Sequence, residues 1–158
     1  MTDAGSAPTP SASRTIAVGA DHAGVALKDQ ISAHLAEQGY RIVDLGTNST
    51  DRVDYPDYGA AVGRAVAGGE ADLGIAVCGS GLGICMAANK IRGIRAAAVH
   101  DVTSARLTRE HNDANVICLG ERLIGPEVAL DAVDAFLAAE FQGGRHQARV
   151  EKLDALTD

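Results

Sequence analysis

A cysteine and several glycines lie where a predicted buried strand ends. Residues 73–77 form a short apolar run, which is typical of a parallel strand buried on both faces. The residues that follow this run are Cys78, Gly79, Ser80, Gly81, Leu82 and Gly83. A helix is predicted over 84–90, so unpaired backbone N–H groups converge on the turn and favour an anion or a thiolate. We therefore expect an anion site with a reactive thiol at its rim; a tight turn with Cys78 as a buried hydrophobe is the alternative.

The elements around this turn alternate between strands and helices. Strands are predicted over 15–19, 41–45, 73–77, 93–99 and 115–119. Helices are predicted from Gly24 to Gly39, over 58–67 and 84–90, from Asp101 to Glu110, from Pro126 to Phe141 and over 145–156. This order predicts an α/β fold, a Rossmann-like doubly wound sheet of five parallel strands with a projecting C-terminal helix.

Ligands of such sheets bind at the carboxyl ends of the strands. Asp21 and His22 follow the first predicted strand, Cys78 follows the third, and residues 120–122 follow the fifth. We expect these segments to face one crevice. The first strand is followed by Gly19-Ala20-Asp21-His22 and not by G-x-G-x-x-G, so no nicotinamide cofactor is expected.

Composition restricts the possible functions further. The 158 residues suit one domain, which we place over 14–158 after a disordered tail at 1–13. A net charge of −7 and the lack of a long apolar run disfavour nucleic acid and membrane partners. Three cysteines without a C-x-x-C pair favour a reduced, cytoplasmic protein. The five histidines have no ligand spacing, so no metal is expected.

Six motifs together resemble one family. They are GADHAG (19–24), DYPDYG (54–59), CGSGLG (78–83), AANKIRGIRAA (87–97), EHNDANV (110–116) and GGRHQARV (143–150). The chain resembles the type B ribose-5-phosphate isomerases, a family that includes galactose-6-phosphate and allose-6-phosphate isomerases. The resemblance covers essentially everything after residue 14, in order and without large gaps.

The resemblance implies an aldose–ketose isomerase that works through an enediolate without metal or cofactor. Cys78 would be the base that moves the proton between C1 and C2. The amides of residues 79–83 would hold the enediolate oxygen, and Ser80 would add a hydroxyl. Some relatives place a glutamate base where this chain has Ile84, so the chain is similar to the thiol-base members.

The family's remaining roles fall on polar residues elsewhere in the chain. His111 resembles the acid/base that opens the sugar ring, and Asn112 would hold substrate oxygens. Asp21 and His22 match residues that contact the sugar and its phosphate end. The alternative roles are a helix cap for Asp21 and a helix C-terminal contact for His111. Tyr55 would line the pocket, unless it is an ordinary loop tyrosine.

Three arginines are candidates for binding the phosphate. Arg145 and Arg149 are four residues apart and so share one side of the last predicted helix, where they repel each other unless an anion lies between them. Arg122 would be a third ligand, since a guanidinium offers phosphate two parallel hydrogen bonds. The alternative for Arg145 and Arg149 is a solvated charged face.

These features together predict a cytoplasmic isomerase of ribose 5-phosphate and ribulose 5-phosphate. Alternative substrates are galactose 6-, allose 6- or tetrose 4-phosphate. One other possibility is a binding module for a phosphorylated ligand that has no catalytic activity. Another is that Cys78 is a redox-sensing thiol, although no resolving cysteine lies close to Cys78 in sequence. The resemblance also implies a homodimer, possibly a dimer of dimers, in which His111 and Cys78 of one site belong to different subunits.

Overall fold

A computed structural model describes residues 14–156, so the predicted tail at 1–13 lies outside the described residues. Five strands form one parallel sheet in the order β2-β1-β3-β5-β4. They are β1 (Thr15–Ala20), β2 (Arg41–Asp44), β3 (Leu73–Cys78), β4 (Ala96–Ala98) and β5 (Val116–Gly120). Every residue of β1, β3 and β5 is buried, as their near-continuous apolar sequences predict.

Within residues 14–156, six α-helices accompany the sheet, and their bounds differ from the predicted ones in detail. They are α1 (Val25–Glu37), α2 (Tyr55–Ala67), α3 (Leu82–Ala88), α4 (Val102–Asn112), α5 (Pro126–Ala138) and α6 (Gln147–Asp154). Helix α2 begins three residues earlier than predicted, because Pro56 in its first turn needs no hydrogen-bonded N–H. Strand β4 is shorter than predicted, since Gly93 has a φ of 87°, outside the strand region. Phe141 lies beyond the end of α5.

The two faces of the sheet are covered by different helices. Ile16 and Val18 of β1 point into a core shared with α1, α4 and α5, whereas Ala17 points into a core shared with α2 and α3. This alternation follows from the period of two along a strand. Helices on both faces of a five-stranded parallel sheet confirm the predicted doubly wound α/β fold.

The C-terminal helix is connected to the domain by two kinds of contact. A 3₁₀ turn (Gly144–His146) precedes α6, and Val150 in α6 is 5% exposed. Near the end of the helix, Asp154 accepts a hydrogen bond of 2.9 Å from Nη1 of Arg95. The C-terminal helix predicted to project is therefore bonded to the domain through Asp154 near its end, while Leu153 and Leu156 stay exposed.

A buried lysine joins α1 to the end of β2. Lys28 is 0% exposed, and its Nζ lies 2.9 Å from each carboxylate oxygen of Asp44 and 2.7 Å from Oδ1 of Asn48. We expect Asp44→Ala to lower the free energy of unfolding by about 3 kcal/mol, because the ammonium would stay buried without its main counter-charge. Urea unfolding measures this loss.

The matched control for Asp44→Ala is Asp134→Ala. The side chains of Asp134 and Asp44 are about equally exposed, at 40% and 39%, but Asp134 accepts its hydrogen bond of 2.8 Å from His34, which is 26% exposed where Lys28 is 0% exposed. Its replacement is expected to cost about 0–1 kcal/mol, since no fully buried charge loses its partner. Equal losses in the two variants would contradict a stabilising role for the pairing of the buried lysine.

Candidate active site

A cavity of about 330 Å³ lies at the carboxyl ends of β1, β3 and β5. It is next to the point where the crossovers from β1 and from β3 run in opposite directions, which is where doubly wound sheets bind ligands. Its lining consists of Asp21, His22, Ala23, Tyr55, Cys78, Gly79, Ser80, Gly83, Arg122 and Leu123. The sequence predicts all of these except Ala23 and Leu123, whose side chains carry no polar group.

The thiol of Cys78 lies at the buried side of this cavity. Cys78 is 4% exposed, and the N–H of Gly81 donates a hydrogen bond of 3.1 Å to its Sγ. Gly81 has a φ of 75°, and a Cβ there would lie 2.8 Å from the backbone carbon of Leu119. Only glycine therefore fits this turn, which aims an amide at the sulfur. Such a donor binds a thiolate more strongly than a thiol.

The Ser80 hydroxyl and the backbone N–H groups of the turn after β3 differ in whether they have a partner within the protein. The N–H of Leu82 donates to Oγ of Ser80 over 3.3 Å, and this leaves the hydroxyl proton of Ser80 to donate elsewhere. Gly81 and Leu82 do not line the cavity, and the Leu82 side chain is 49% exposed. In residues 14–156, the N–H groups of Gly79 and Ser80 have no protein acceptor. They are the loop amides that are open to a ligand.

The loop after β1 brings Asp21 and His22 to the cavity. Asp21 is 6% exposed and its Oδ1 accepts a hydrogen bond of 2.9 Å from the N–H of Ala23. The N-cap of α1 is Gly24, so Asp21 closes a local turn and is not the helix cap. Nδ1 of His22 lies 3.2 Å from the backbone nitrogen of Val53. Nε2 is thereby left for a ligand.

Arg122 and Tyr55 form the walls on either side of the loop. The guanidinium of Arg122 lies over Gly79, where a Cβ would be 3.3 Å from Nη1. No carboxylate among residues 14–156 lies within 4.0 Å of this guanidinium, so its charge is open to an anionic ligand. The Tyr55 ring covers Gly83, where a Cβ would approach it to 2.6 Å.

The remaining predicted residues lie in a second group away from Cys78. His111 and Asn112 are at the end of α4, and the His111 ring stacks on His146 with centroids 4.3 Å apart. Burial lowers the pKa of His146, and the nearby positive charges of His111, Arg145 and Arg149 add to this effect. None of these five residues lines the cavity that contains Cys78.

Three features of this second group bear on the sequence predictions. His146 was not predicted, although it lies in the motif GGRHQARV; an imidazole between two arginines is the signal that could have identified it. Asn112 lines a separate cavity of about 680 Å³ beside β4. Neither Arg145 nor Arg149 forms an ion pair with a residue in the described range.

The two other cysteines are core thiols. Cys85 and Cys118 are buried in the same apolar cluster as Cys78. A hydrogen bond between them lowers the pKa of Cys85 and raises that of Cys118, whose burial adds to the increase. Within residues 14–156, no three His, Cys, Asp or Glu side chains are grouped as metal ligands, and no helix has the length and apolarity to cross a membrane.

Comparison with known proteins identifies the family. The model of the family described as Ribose/Galactose Isomerase matches residues 16–153. The ribose-5-phosphate isomerase B of Escherichia coli is 52% identical over 143 residues, which are 90% of this chain and 96% of that protein. A structure of the Clostridium thermocellum ribose-5-phosphate isomerase B has a TM-score of 0.89 and 52% identity, covering 90% of this chain and 96% of the other.

One similar structure contains a sugar phosphate. It is the ribose-5-phosphate isomerase B of Mycoplasma genitalium with bound ribulose-5-phosphate, with a TM-score of 0.85 and 43% identity. The match covers 89% of this chain and 94% of the other. The chain therefore belongs to the ribose/galactose isomerase family and is an isomerase.

Proposed function

We propose that this isomerase interconverts ribose 5-phosphate and ribulose 5-phosphate with Cys78 as the base. The observation that carries the proposal is the Cys78 thiol, which accepts a hydrogen bond from Gly81 in a cavity that also contains Arg122, an arginine without a carboxylate partner in residues 14–156. A thiolate beside a cation suits proton abstraction from a substrate with a phosphate. The names of the E. coli and C. thermocellum relatives support ribose 5-phosphate as the substrate.

The reaction moves one proton between carbons and one between oxygens, and it consumes no co-reactant. The Cys78 thiolate takes the proton from C2 of the open-chain aldose, and the electron pair of that C–H bond forms the enediolate, with the negative charge on the oxygen at C1. The same thiol then returns a proton to C1, while the proton of the C2 hydroxyl passes to the oxygen at C1 and the carbonyl forms at C2. The N–H groups of Gly79 and Ser80 and the Ser80 hydroxyl stabilise the negative oxygen between these steps.

The second group supplies ring opening and phosphate binding. His111 acts as the acid/base that opens the sugar ring, Asn112 holds substrate oxygens, and Arg145 and Arg149 bind the phosphate together with Arg122. Asp21, His22 and Tyr55 contact the sugar. Arg122, Arg145 and Arg149 have no carboxylate partner in residues 14–156, and this supports a role in phosphate binding. A bound anion between Arg145 and Arg149 would offset the repulsion of their charges.

The separation of the two groups supports a homodimer with shared sites. His111 and Cys78 do not line a common cavity in one chain, so a second chain would bring them together. The surface beside the Cys78 cavity is apolar enough for such a contact, because Tyr55 is 42%, Leu82 49% and Met86 67% exposed. A dimer of dimers is compatible with the same contacts.

The proposed function includes a single isomerase domain and a location in the cytoplasm. Residues 14–158 act as one isomerase domain, which the family match over 16–153 supports. The protein works in the cytoplasm, and its three free thiols support a reducing compartment.

A substrate panel tests the proposed function. Turnover is measured on ribose 5-phosphate, allose 6-phosphate, galactose 6-phosphate and a tetrose 4-phosphate with the purified protein. We expect the highest kcat/KM on ribose 5-phosphate. A higher value on one of the other sugars would assign that sugar as the substrate, and no turnover on any of them would contradict the proposal.

Arg149→Ala is expected to raise KM for ribose 5-phosphate by roughly tenfold to a hundredfold, because a charge-assisted bond to phosphate is worth about 1.5–3 kcal/mol. Inorganic phosphate should inhibit the variant more weakly than the wild type. Arg145→Ala should behave similarly. The control is Arg106→Ala, which removes the same charge from α4, where Arg106 pairs with Glu110 at 2.7 Å. Unchanged phosphate inhibition in Arg149→Ala would mean that Arg149 belongs to a solvated charged face and does not bind the phosphate.

A further inference from the structure

Helix α1 begins without a capping side chain of its own. Its N-cap is Gly24, and a Cβ at that position would lie 2.6 Å from the carbonyl oxygen of Val77. No serine, threonine or aspartate fits there, although the first N–H groups of a helix need acceptors. The close packing of α1 against β3 thus excludes a local cap.

A carboxylate from the loop after β5 replaces the missing cap. Oε1 of Glu121 accepts a hydrogen bond of 2.7 Å from the N–H of Leu27, which is 94 residues away in sequence. The negative charge of Glu121 lies at the positive end of α1, where it is stabilised. This bond joins the loop after β5 to the helix that follows Asp21 and His22.

The backbone of the same loop is bonded to the turn that carries the thiol. The N–H of Glu121 donates to the carbonyl oxygen of Cys78, and that of Arg122 donates to the carbonyl oxygen of Gly79, both over 3.0 Å. Glu121 is therefore the residue at which the segments after β1, β3 and β5 are joined. Its neighbour Arg122 extends over Gly79 into the cavity.

We propose that Glu121 is a positioning residue for phosphate binding, which rests on the proposed function. It holds the Arg122 guanidinium and the Asp21–His22 segment at a fixed separation across the cavity. Residues 120–125 (GERLIG) thus contain Arg122, which lines the cavity, and Glu121, which positions Arg122.

The test compares three variants of the full-length protein. Glu121→Ala removes the acceptor, Glu121→Gln keeps an oxygen that can accept from Leu27, and Glu127→Ala removes the same charge from the first turn of α5, away from the cavity. Measurements are KM and kcat for ribose 5-phosphate, the affinity for inorganic phosphate by calorimetry, and the melting temperature.

We expect Glu121→Ala to raise KM and to weaken phosphate binding, each by about tenfold, with kcat changed by less than about threefold. Glu121→Gln should restore most of both losses, and Glu127→Ala should equal the wild type. A lower melting temperature with unchanged KM and phosphate affinity would make Glu121 a structural cap only. Equal losses in the alanine and glutamine variants would also overturn the proposal.

Two further outcomes separate this inference from the proposed function. A wild type that binds phosphate but isomerises no pentose phosphate would contradict the proposed function, while the phosphate affinities of the variants would still test the role of Glu121.

If Glu121→Ala does not fold, Glu121→Asp replaces it, since the shorter carboxylate keeps the charge but does not reach Leu27. Wild-type phosphate affinity in a folded Glu121→Asp would overturn the proposal.

Discussion

Replacement of Cys78 by alanine is expected to lower isomerisation by roughly a thousandfold or more, because a general base contributes about 10²–10⁴ to the rate. The variant should still fold, since alanine leaves only a small gap at a position that is 4% exposed. It should also still bind sugar phosphate, because no phosphate ligand is altered. The direct measurement is the exchange of the C2 proton of ribose 5-phosphate with deuterium from the solvent.

Cys85→Ala is the matched control for this variant. Cys85 is also a buried thiol of the same cluster, but it lies on α3 and its hydrogen-bonding partner is Cys118. Its loss should leave C2 exchange near the wild-type rate. Exchange at near the wild-type rate in Cys78→Ala would place the base elsewhere. Loss of phosphate binding together with exchange would mean that the substitution disturbs the whole site.

The sequence predicts the fold well because its local signals agree with one another. Apolar runs without alternation mark the buried strands, and polar or glycine-containing segments separate them from the helices. Asp101 lies where a helix was predicted to begin, and its side chain caps α4 by accepting a hydrogen bond of 2.7 Å from the N–H of Ser104. The bond lowers the pKa of the Asp101 carboxyl. Such contacts span only a few residues and are therefore visible in sequence.

Features that depend on tertiary contacts could not be predicted in this way. The bond between Glu121 and Leu27 joins positions far apart in the chain, and nothing near either residue indicates the other. The stacking of His146 on His111 also depends on how the last segment folds back against α4. The sequence groups the candidate residues by chemistry alone. The structure adds that they form two separate groups in one chain.

The two groups lead to the prediction with the clearest outcome. If one site uses Cys78 of one subunit and His111 of the other, Cys78→Ala and His111→Ala damage different halves of it. Each homodimer then has two defective sites. A mixed dimer has one site with both defects and one site that is intact. The proposed dimer therefore allows two inactive proteins to restore each other, which a site within one chain does not allow.

Subunits of the two inactive variants are mixed, exchanged under mild denaturation and assayed with ribose 5-phosphate. Random pairing makes about half of the dimers mixed, and each has one intact site of two, so activity should return to about a quarter of the wild-type value. Mass spectrometry of the intact dimers checks that exchange took place. No recovery despite proven exchange would place Cys78 and His111 of a site on the same chain, and a monomer at micromolar concentration would exclude the shared site altogether.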